Sequence, residues 1–136
     1  MALRSGIDIV EINRMDEINP SIRVRFVNRV FTPAEQALAQ GRTPSLAGRF
    51  AAKEAVSKAL GTGIGRVHWQ DIEILRGPAG EPVLQLHGLA REVAAHLGLT
   101  EWSVSISHGR THAVAVAVAM GPGQEITPRN EDLIGQ

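Results

Sequence analysis

The chain has no cysteine among its 136 residues. That excludes a disulfide scaffold, a thiolate metal site and a cysteine nucleophile. Net charge is missing too: 14 Lys and Arg balance 14 Asp and Glu, so the broad basic surface of a general nucleic-acid binder is absent. Long apolar runs are also lacking. The longest, Ala113–Met120, falls far short of the about 20 residues that a membrane-spanning helix requires. Asp8 and Glu11 interrupt the only apolar stretch near the start, so no signal peptide is read there and a cytoplasmic location is expected. Neither nucleic acid nor membrane is an expected partner. No internal repeat, linker or second domain stands out, and no two histidines have zinc spacing.

What is present is an ordinary globular composition, 43% hydrophobic and 21% charged, at a length close to the commonest single-domain size. Such a chain buries roughly two thirds of its unfolded surface without staples. Residues 3–12 read as a strand, with Ile7 and Ile9 on one face and Asp8 on the other. A carboxylate in so apolar a strand either lies on a wet sheet face or binds something. Residues 13–31 read as a short and a longer helix separated at Pro20. Thr32-Pro33-Ala34-Glu35 is a capping box with proline at the first helical position, and the helix it opens should stop near Gly41.

Residues 45–60 form the clearest helix, closed by Gly61. Its alanines, Ala51, Ala52, Ala55 and Ala59, share one arc with Val56 and imply close packing on another element. Two strands follow, at 71–76 and 82–87, joined by the turn Gly77-Pro78-Ala79-Gly80. A short amphipathic helix at 89–97 leads to two further strands. In residues 102–107 Trp102, Val104 and Ile106 alternate with serines. In residues 113–119 valine alternates with alanine, so both faces are apolar; such a strand is central or covered by another subunit, and the alanine face suits a tight subunit contact. The polar residues 121–136 read as a loose tail. The order of elements is mixed, which gives an α+β class.

Three groups of residues could carry chemistry: Asp8, the segment from Arg49 to Gly65, and the end of the strand at Ser105–His108. Each has an ordinary reading alone. Glu54 and Lys58 are spaced as a surface ion pair. Gly61-Thr62-Gly63-Ile64-Gly65 leaves a helix rather than entering one, so it matches neither a Walker A loop nor a dinucleotide fingerprint. His108 could be a base, a phosphate ligand or a plain loop histidine. Arg14, Arg23, Arg25 and Arg29 could be a solvated helix face.

Taken together, Gly6-Ile7-Asp8-Ile9-Val10, the segment Gly48-Arg49-Phe50-Ala51-Ala52-Lys53-Glu54-Ala55-Val56-Ser57-Lys58-Ala59-Leu60-Gly61-Thr62-Gly63-Ile64-Gly65, and Ser105-Ile106-Ser107-His108 resemble the holo-[acyl-carrier-protein] synthase family, the small bacterial 4′-phosphopantetheinyl transferases. The resemblance runs from about Leu3 to Ala119. It implies a transferase domain over residues 1–120 with a tail at 121–136. It implies a mixed or antiparallel sheet packed on a long helix, in a homotrimer with active sites at the subunit interfaces. The implied reaction moves 4′-phosphopantetheine from coenzyme A to a serine of apo-acyl carrier protein, releases adenosine 3′,5′-bisphosphate, and belongs to lipid metabolism and fatty acid biosynthesis.

The resemblance also implies a magnesium ion on Asp8 and Glu54. Magnesium prefers hard oxygen ligands, and one or two carboxylates plus substrate phosphates suffice. Lys58 would neutralise the same phosphates, Arg49 and His108 are expected at the 3′-phosphate, and Gly63 and Gly65 would let backbone approach the ligand. The base that takes the serine proton is left between Glu54 and His108. Relatives often carry a polar residue after this histidine, where this chain has Gly109. Arg14 and Arg25 match family positions on the helix that docks the acidic carrier protein, where charge pairs raise the on-rate and weaken with salt. Two other classes remain open on the residues alone: a magnesium enzyme that hydrolyses a nucleotide pyrophosphate, and a non-enzymatic coenzyme A or anion-binding module. A purely structural oligomer would leave Asp8 unexplained.

Overall fold

The computed structural model describes residues 1–124. Among them, five strands and five α-helices follow in the order β1 (Ala2–Glu11), α1 (Asn13–Asp16), α2 (Pro20–Val30), α3 (Pro33–Ala39), α4 (Thr43–Leu60), β2 (Ile72–Arg76), β3 (Pro82–Leu86), α5 (Gly88–His96), β4 (Glu101–His108) and β5 (His112–Gly121). A short 3₁₀ turn at Trp69–Asp71 precedes β2. β1, β5 and β4 form an antiparallel sheet in that order, and β2 and β3 form a separate antiparallel hairpin. The α+β class and the sheet on a long helix expected from the sequence are both present.

Local chemistry sets most boundaries. Asn19 caps α2 by accepting from the Ser21 amide, with Pro20 at the first helical position. The capping box of α3 is complete: Thr32 Oγ1 accepts from the Glu35 amide at 3.1 Å, and Glu35 Oε1 accepts from the Thr32 amide at 2.9 Å. α4 begins at Thr43, two residues earlier than its apolar pattern suggests, because Pro44 fits the first turn and needs no amide partner there. Gly61 ends it in the left-handed region at φ 79°.

The alternation along β1 is present, but its sense is the reverse of a usual core strand. Ile7 and Ile9 are 60% and 61% exposed, whereas Gly6 is buried and Asp8 is turned towards α4. Strand pairing carries the same division across the sheet. Ala113, Ala115, Ala117 and Ala119 share the inner face with Gly6, Asp8 and Val10 on one side and with Val104, Ile106 and His108 on the other. These four alanines are fully buried, as are Ala51, Ala52 and Ala55 of α4. The sheet and α4 therefore meet through side chains of one carbon, which lets the helix lie close. This corrects the expectation that the alanine face of β5 meets another subunit: it meets α4 of the same chain. The face left open carries Leu3, Ile7, Ile9, Val118 and Met120.

A second apolar cluster, around Val30, Phe31, Leu46 and Ala47, fastens α1–α3 to the first turns of α4. Of the expected tail, Gly121 closes β5 and the Gly123 amide donates to Gly98 O at 3.2 Å; residues 125–136 lie outside the described residues.

Candidate active site

Asp8, Glu54 and Lys58 come together where β1 crosses α4. Lys58 Nζ lies 3.2 Å from Asp8 Oδ1 and donates to Ile7 O at 2.9 Å. Asp8 is largely covered, while Lys58 is half exposed. Glu54 sits on the same side of the helix, one turn before Lys58. Burial pushes its carboxyl above the usual glutamate range, and the Asp8 carboxylate adds to the rise, with Lys58 opposing. One ammonium thus faces two carboxylates, which leaves a surplus of negative charge at the site. Among the described residues no group of three or more His, Asp or Glu is gathered. A cation here would complete its shell with water and substrate oxygens.

A second cluster has the opposite charge. A cavity of about 660 Å³ opens between the start of α4, the β2–β3 hairpin and the end of β4. Its lining includes Arg42, Ser45, Arg49, Arg76 and His108. Gly48 allows this packing, since a Cβ there would sit 2.9 Å from Ile106 Cγ2. Arg49 is buried, donates from Nε to Ile74 O at 3.0 Å and from Nη1 to Ser45 Oγ at 2.6 Å. Burial lowers its pKa from the usual arginine value; Glu35 opposes, and Arg76 and Arg42 add to the fall. Three guanidinium groups crowded at one cavity mutually repel unless an anion joins them, which is the electrostatic signature of a phosphate site.

The two clusters are separate within one chain. Arg49 and Glu54 are five residues apart on α4, so they point about 140° apart around the helix. Asp8 pairs with Ala115 and Ala115 with Ile106, while His108 lies in the adjoining row with Ala113 and Val10. At about 4.8 Å per strand and about 3.4 Å per residue along the strand, the backbone of His108 is about 12 Å from that of Asp8. The structure therefore groups His108 with Arg49, away from Glu54.

Gly63 and Gly65 have φ of 63° and 126°, and space around both is open. Their amides are already donated, to Ser57 O and Val67 O, so neither glycine presents a free N–H group. Arg14 lies 3.7 Å from Glu11 in an exposed pair. It rims a cavity of about 330 Å³ lined with Ile9, Met15, Phe26 and Phe50. Arg25 and Arg29 are exposed on α2, whereas Arg23 turns back to donate to Thr43 Oγ1 at 3.1 Å. Arg42 and Arg76 were not singled out by any sequence pattern. Arg42 immediately precedes α4, about two turns before Arg49, whereas Arg76 ends β2 and reaches Arg49 only because the hairpin folds against α4.

The family model described as the 4′-phosphopantetheinyl transferase superfamily matches residues 4–117. A holo-[acyl-carrier-protein] synthase of Moorella thermoacetica is 54% identical over 121 residues, covering 85% of this chain and 92% of that protein. One from Natranaerobius thermophilus is 48% identical over 121 residues, covering 87% and 97%. Among solved structures, the Helicobacter pylori holo-[acyl-carrier-protein] synthase in complex with coenzyme A superposes with a TM-score of 0.78 at 37% identity, covering 85% of this chain and 99% of that one. The Bacillus anthracis enzyme, in complex with coenzyme A (3′,5′-ADP), gives 0.70 at 36% identity, covering 91% and 100%.

Proposed function

The chain belongs to the 4′-phosphopantetheinyl transferase superfamily, and from that premise we infer that it is a holo-[acyl-carrier-protein] synthase. It transfers 4′-phosphopantetheine from coenzyme A to a serine of apo-acyl carrier protein and releases adenosine 3′,5′-bisphosphate. The observation that carries this reading is the pair of clusters. Two carboxylates with a lysine suit the diphosphate through a cation, and the arginine cavity suits a separate phosphate monoester. Coenzyme A carries both groups.

Asp8 and Glu54 fit a magnesium ion, since both offer hard oxygens and their mutual repulsion is what a cation relieves. When bound, the ion supplies neutralisation of the charge that develops on the diphosphate oxygens. Lys58 binds the same oxygens and turns the diphosphate towards the attacking serine. The serine oxygen forms a bond to the phosphorus that carries pantetheine, and the bond from that phosphorus to the leaving phosphate oxygen breaks. Glu54, one turn before Lys58 and beside Asp8, is the assigned acceptor of the serine proton, with His108 as the second choice. Arg49, with His108, Arg42 and Arg76, holds the 3′-phosphate.

The open sheet face and the separation of the clusters support a homotrimer in which the acidic cluster of one copy faces the basic cavity of the next. Arg14 and Arg25 provide the charge, and the apolar cavity beside Arg14 the contact, for an acidic carrier protein. A carrier of this kind suits a cytoplasmic reaction in fatty acid or polyketide synthesis. Residues 1–120 carry the transferase domain, and Gly121 and Gly123 still belong to its fold through the end of β5 and the bond to Gly98.

Intact-mass measurement of apo-acyl carrier protein incubated with the protein, coenzyme A and magnesium tests the activity. The expected result is a gain of one phosphopantetheine mass that a chelator abolishes. Binding of coenzyme A with no gain on several carrier proteins would overturn it.

A further inference from the structure

The buried Lys53–Glu35 pair has no part in the chemistry above, yet it is the most completely enclosed charged group among the described residues. Both side chains are 0% exposed and lie 2.7 Å apart. Lys53 Nζ donates to Glu35 Oε1, Trp69 O and Ile72 O. Three acceptors match the three donors of an ammonium, so the lysine is charged. Burial lowers its pKa from the ordinary lysine value, and Glu35 opposes that fall. Glu35 Oε1 also accepts from the Thr32 amide, and Oε2 accepts from the Ile74 amide at 2.9 Å.

Ile72 and Ile74 belong to β2, whose other edge pairs with β3. Sheet edges need partners when they are buried. Here the free edge of β2 finds no third strand. Its groups are taken by Lys53 at Ile72 O, by Glu35 at the Ile74 amide and by Arg49 at Ile74 O. Three charged side chains from α3 and α4 thus stand in for a strand. The hairpin they hold carries Arg76, Gly80 and Pro82, one wall of the arginine cavity. The Ile74 peptide is the joint: Glu35 grips its N–H and Arg49 its carbonyl.

We propose that Glu35 and Lys53 are positioning residues for the phosphate cavity: they lock the edge of β2 so that Arg49 and Arg76 are held at the spacing one phosphate monoester requires. This rests on the assignment of that cavity to the 3′-phosphate of coenzyme A. It predicts that the pair governs recognition of this phosphate and leaves the acidic cluster, the carrier surface and the turnover step alone.

The test compares coenzyme A with dephospho-coenzyme A, which lacks the 3′-phosphate, as donors. Arg49→Ala is the reference: it should abolish the preference for coenzyme A, and a preference left intact would overturn the cavity assignment itself and the proposal with it. Glu35→Gln keeps the size of the side chain but must present an amide N–H₂ to the Ile74 N–H or to the donors on its other oxygen. The double variant Glu35→Gln/Lys53→Met removes the charges together, so neither is left buried alone. Both variants should raise KM for coenzyme A by about tenfold, the loss expected when one charge-assisted hydrogen bond is misplaced. KM for dephospho-coenzyme A, KM for carrier protein and kcat should change little, with folding followed by circular dichroism. A folded variant that keeps the parent's preference between the two donors, or that loses kcat and both donors equally, would overturn the positioning role.

Discussion

Gly6 lies directly beneath the carbonyl oxygen of Ala55: a methyl group on Gly6 would collide with that oxygen and crowd the Ala59 amide. β1 and α4 therefore meet backbone to backbone, and Asp8, two residues on, reaches Lys58 and the neighbourhood of Glu54. Gly6→Ala should destabilise the protein by about 3 kcal/mol, the upper part of the usual range for overpacking, since the obstacle is backbone. Urea unfolding measures this. Activity should fall in the fraction still folded, because the strand can only accommodate the methyl by moving Asp8 away.

Asp8→Ala and Glu54→Ala should each lose most activity, at least about 100-fold if the ion contributes several kcal/mol to the transition state. Neither should unfold the protein. Ionised Glu54 is opposed by burial and by Asp8, so removing it relieves a repulsion. Melting curves with and without magnesium separate the roles. The parent should gain stability as the ion is added, and both variants should lose that gain. A variant with full turnover would remove its carboxylate from the site.

Much of this arrangement is legible from the residues alone. The alanine arc of α4, the capping box at Thr32 and the stop at Gly61 are local signals, and each governs the element it belongs to. Asp8 stands out because a carboxylate in Gly-Ile-Asp-Ile-Val breaks a core pattern. The direction in which it points is another matter. Ile7 and Ile9 look like core residues, and only the close fit of Gly6 and the β5 alanines under α4 turns them outward. A different tertiary fact hides Arg76, whose meeting with Arg49 depends on a hairpin docked by side chains rather than by strand pairing.

Arg14→Glu should raise KM for acyl carrier protein severalfold and leave KM for coenzyme A unchanged, because the Arg14 side chain lies outside both charged clusters. The rise should shrink as salt is added, since exposed charges separated by more than about 8 Å are screened at physiological ionic strength. Equal damage to both substrates would count against docking at this surface.

Glu73 gives stability a pH dependence. Burial raises its pKa, but hydrogen bonds from Thr32 Oγ1 at 2.6 Å and His87 Nε2 at 3.0 Å, with the charges of His87 and Lys53, outweigh burial and bring it below the usual value. The folded state thus favours the ionised carboxylate. Its contribution is present above the ordinary glutamate range and is lost as pH falls through that range towards the lower folded pKa. Glu73→Gln should be less stable than the parent at neutral pH, and the gap should close in acid below the ordinary glutamate pKa. Melting temperatures across pH 3–7 provide the check; a gap that does not narrow would assign the effect to lost packing.

The strongest test of a shared site is to mix two proteins that are both nearly inactive at coenzyme A concentrations well below the KM of Arg49→Ala. Glu54→Ala keeps the basic cavity and lacks the acidic cluster; Arg49→Ala has the reverse defect. If every site lay within one chain, a mixture would be as inactive as its parts. In a ring where each site joins the acidic cluster of one copy to the basic cavity of the next, equal random mixing makes both halves intact at roughly one quarter of the sites. Mixing under conditions that exchange subunits should then restore about that fraction of parent activity. Val118→Lys in both variants should abolish the recovery, because Val118 lies on the open sheet face with Ile7 and Ile9 and a buried unpaired lysine would separate the copies. Recovery that survives this change would move the subunit contact elsewhere; no recovery from subunits shown to exchange would return the whole site to a single chain.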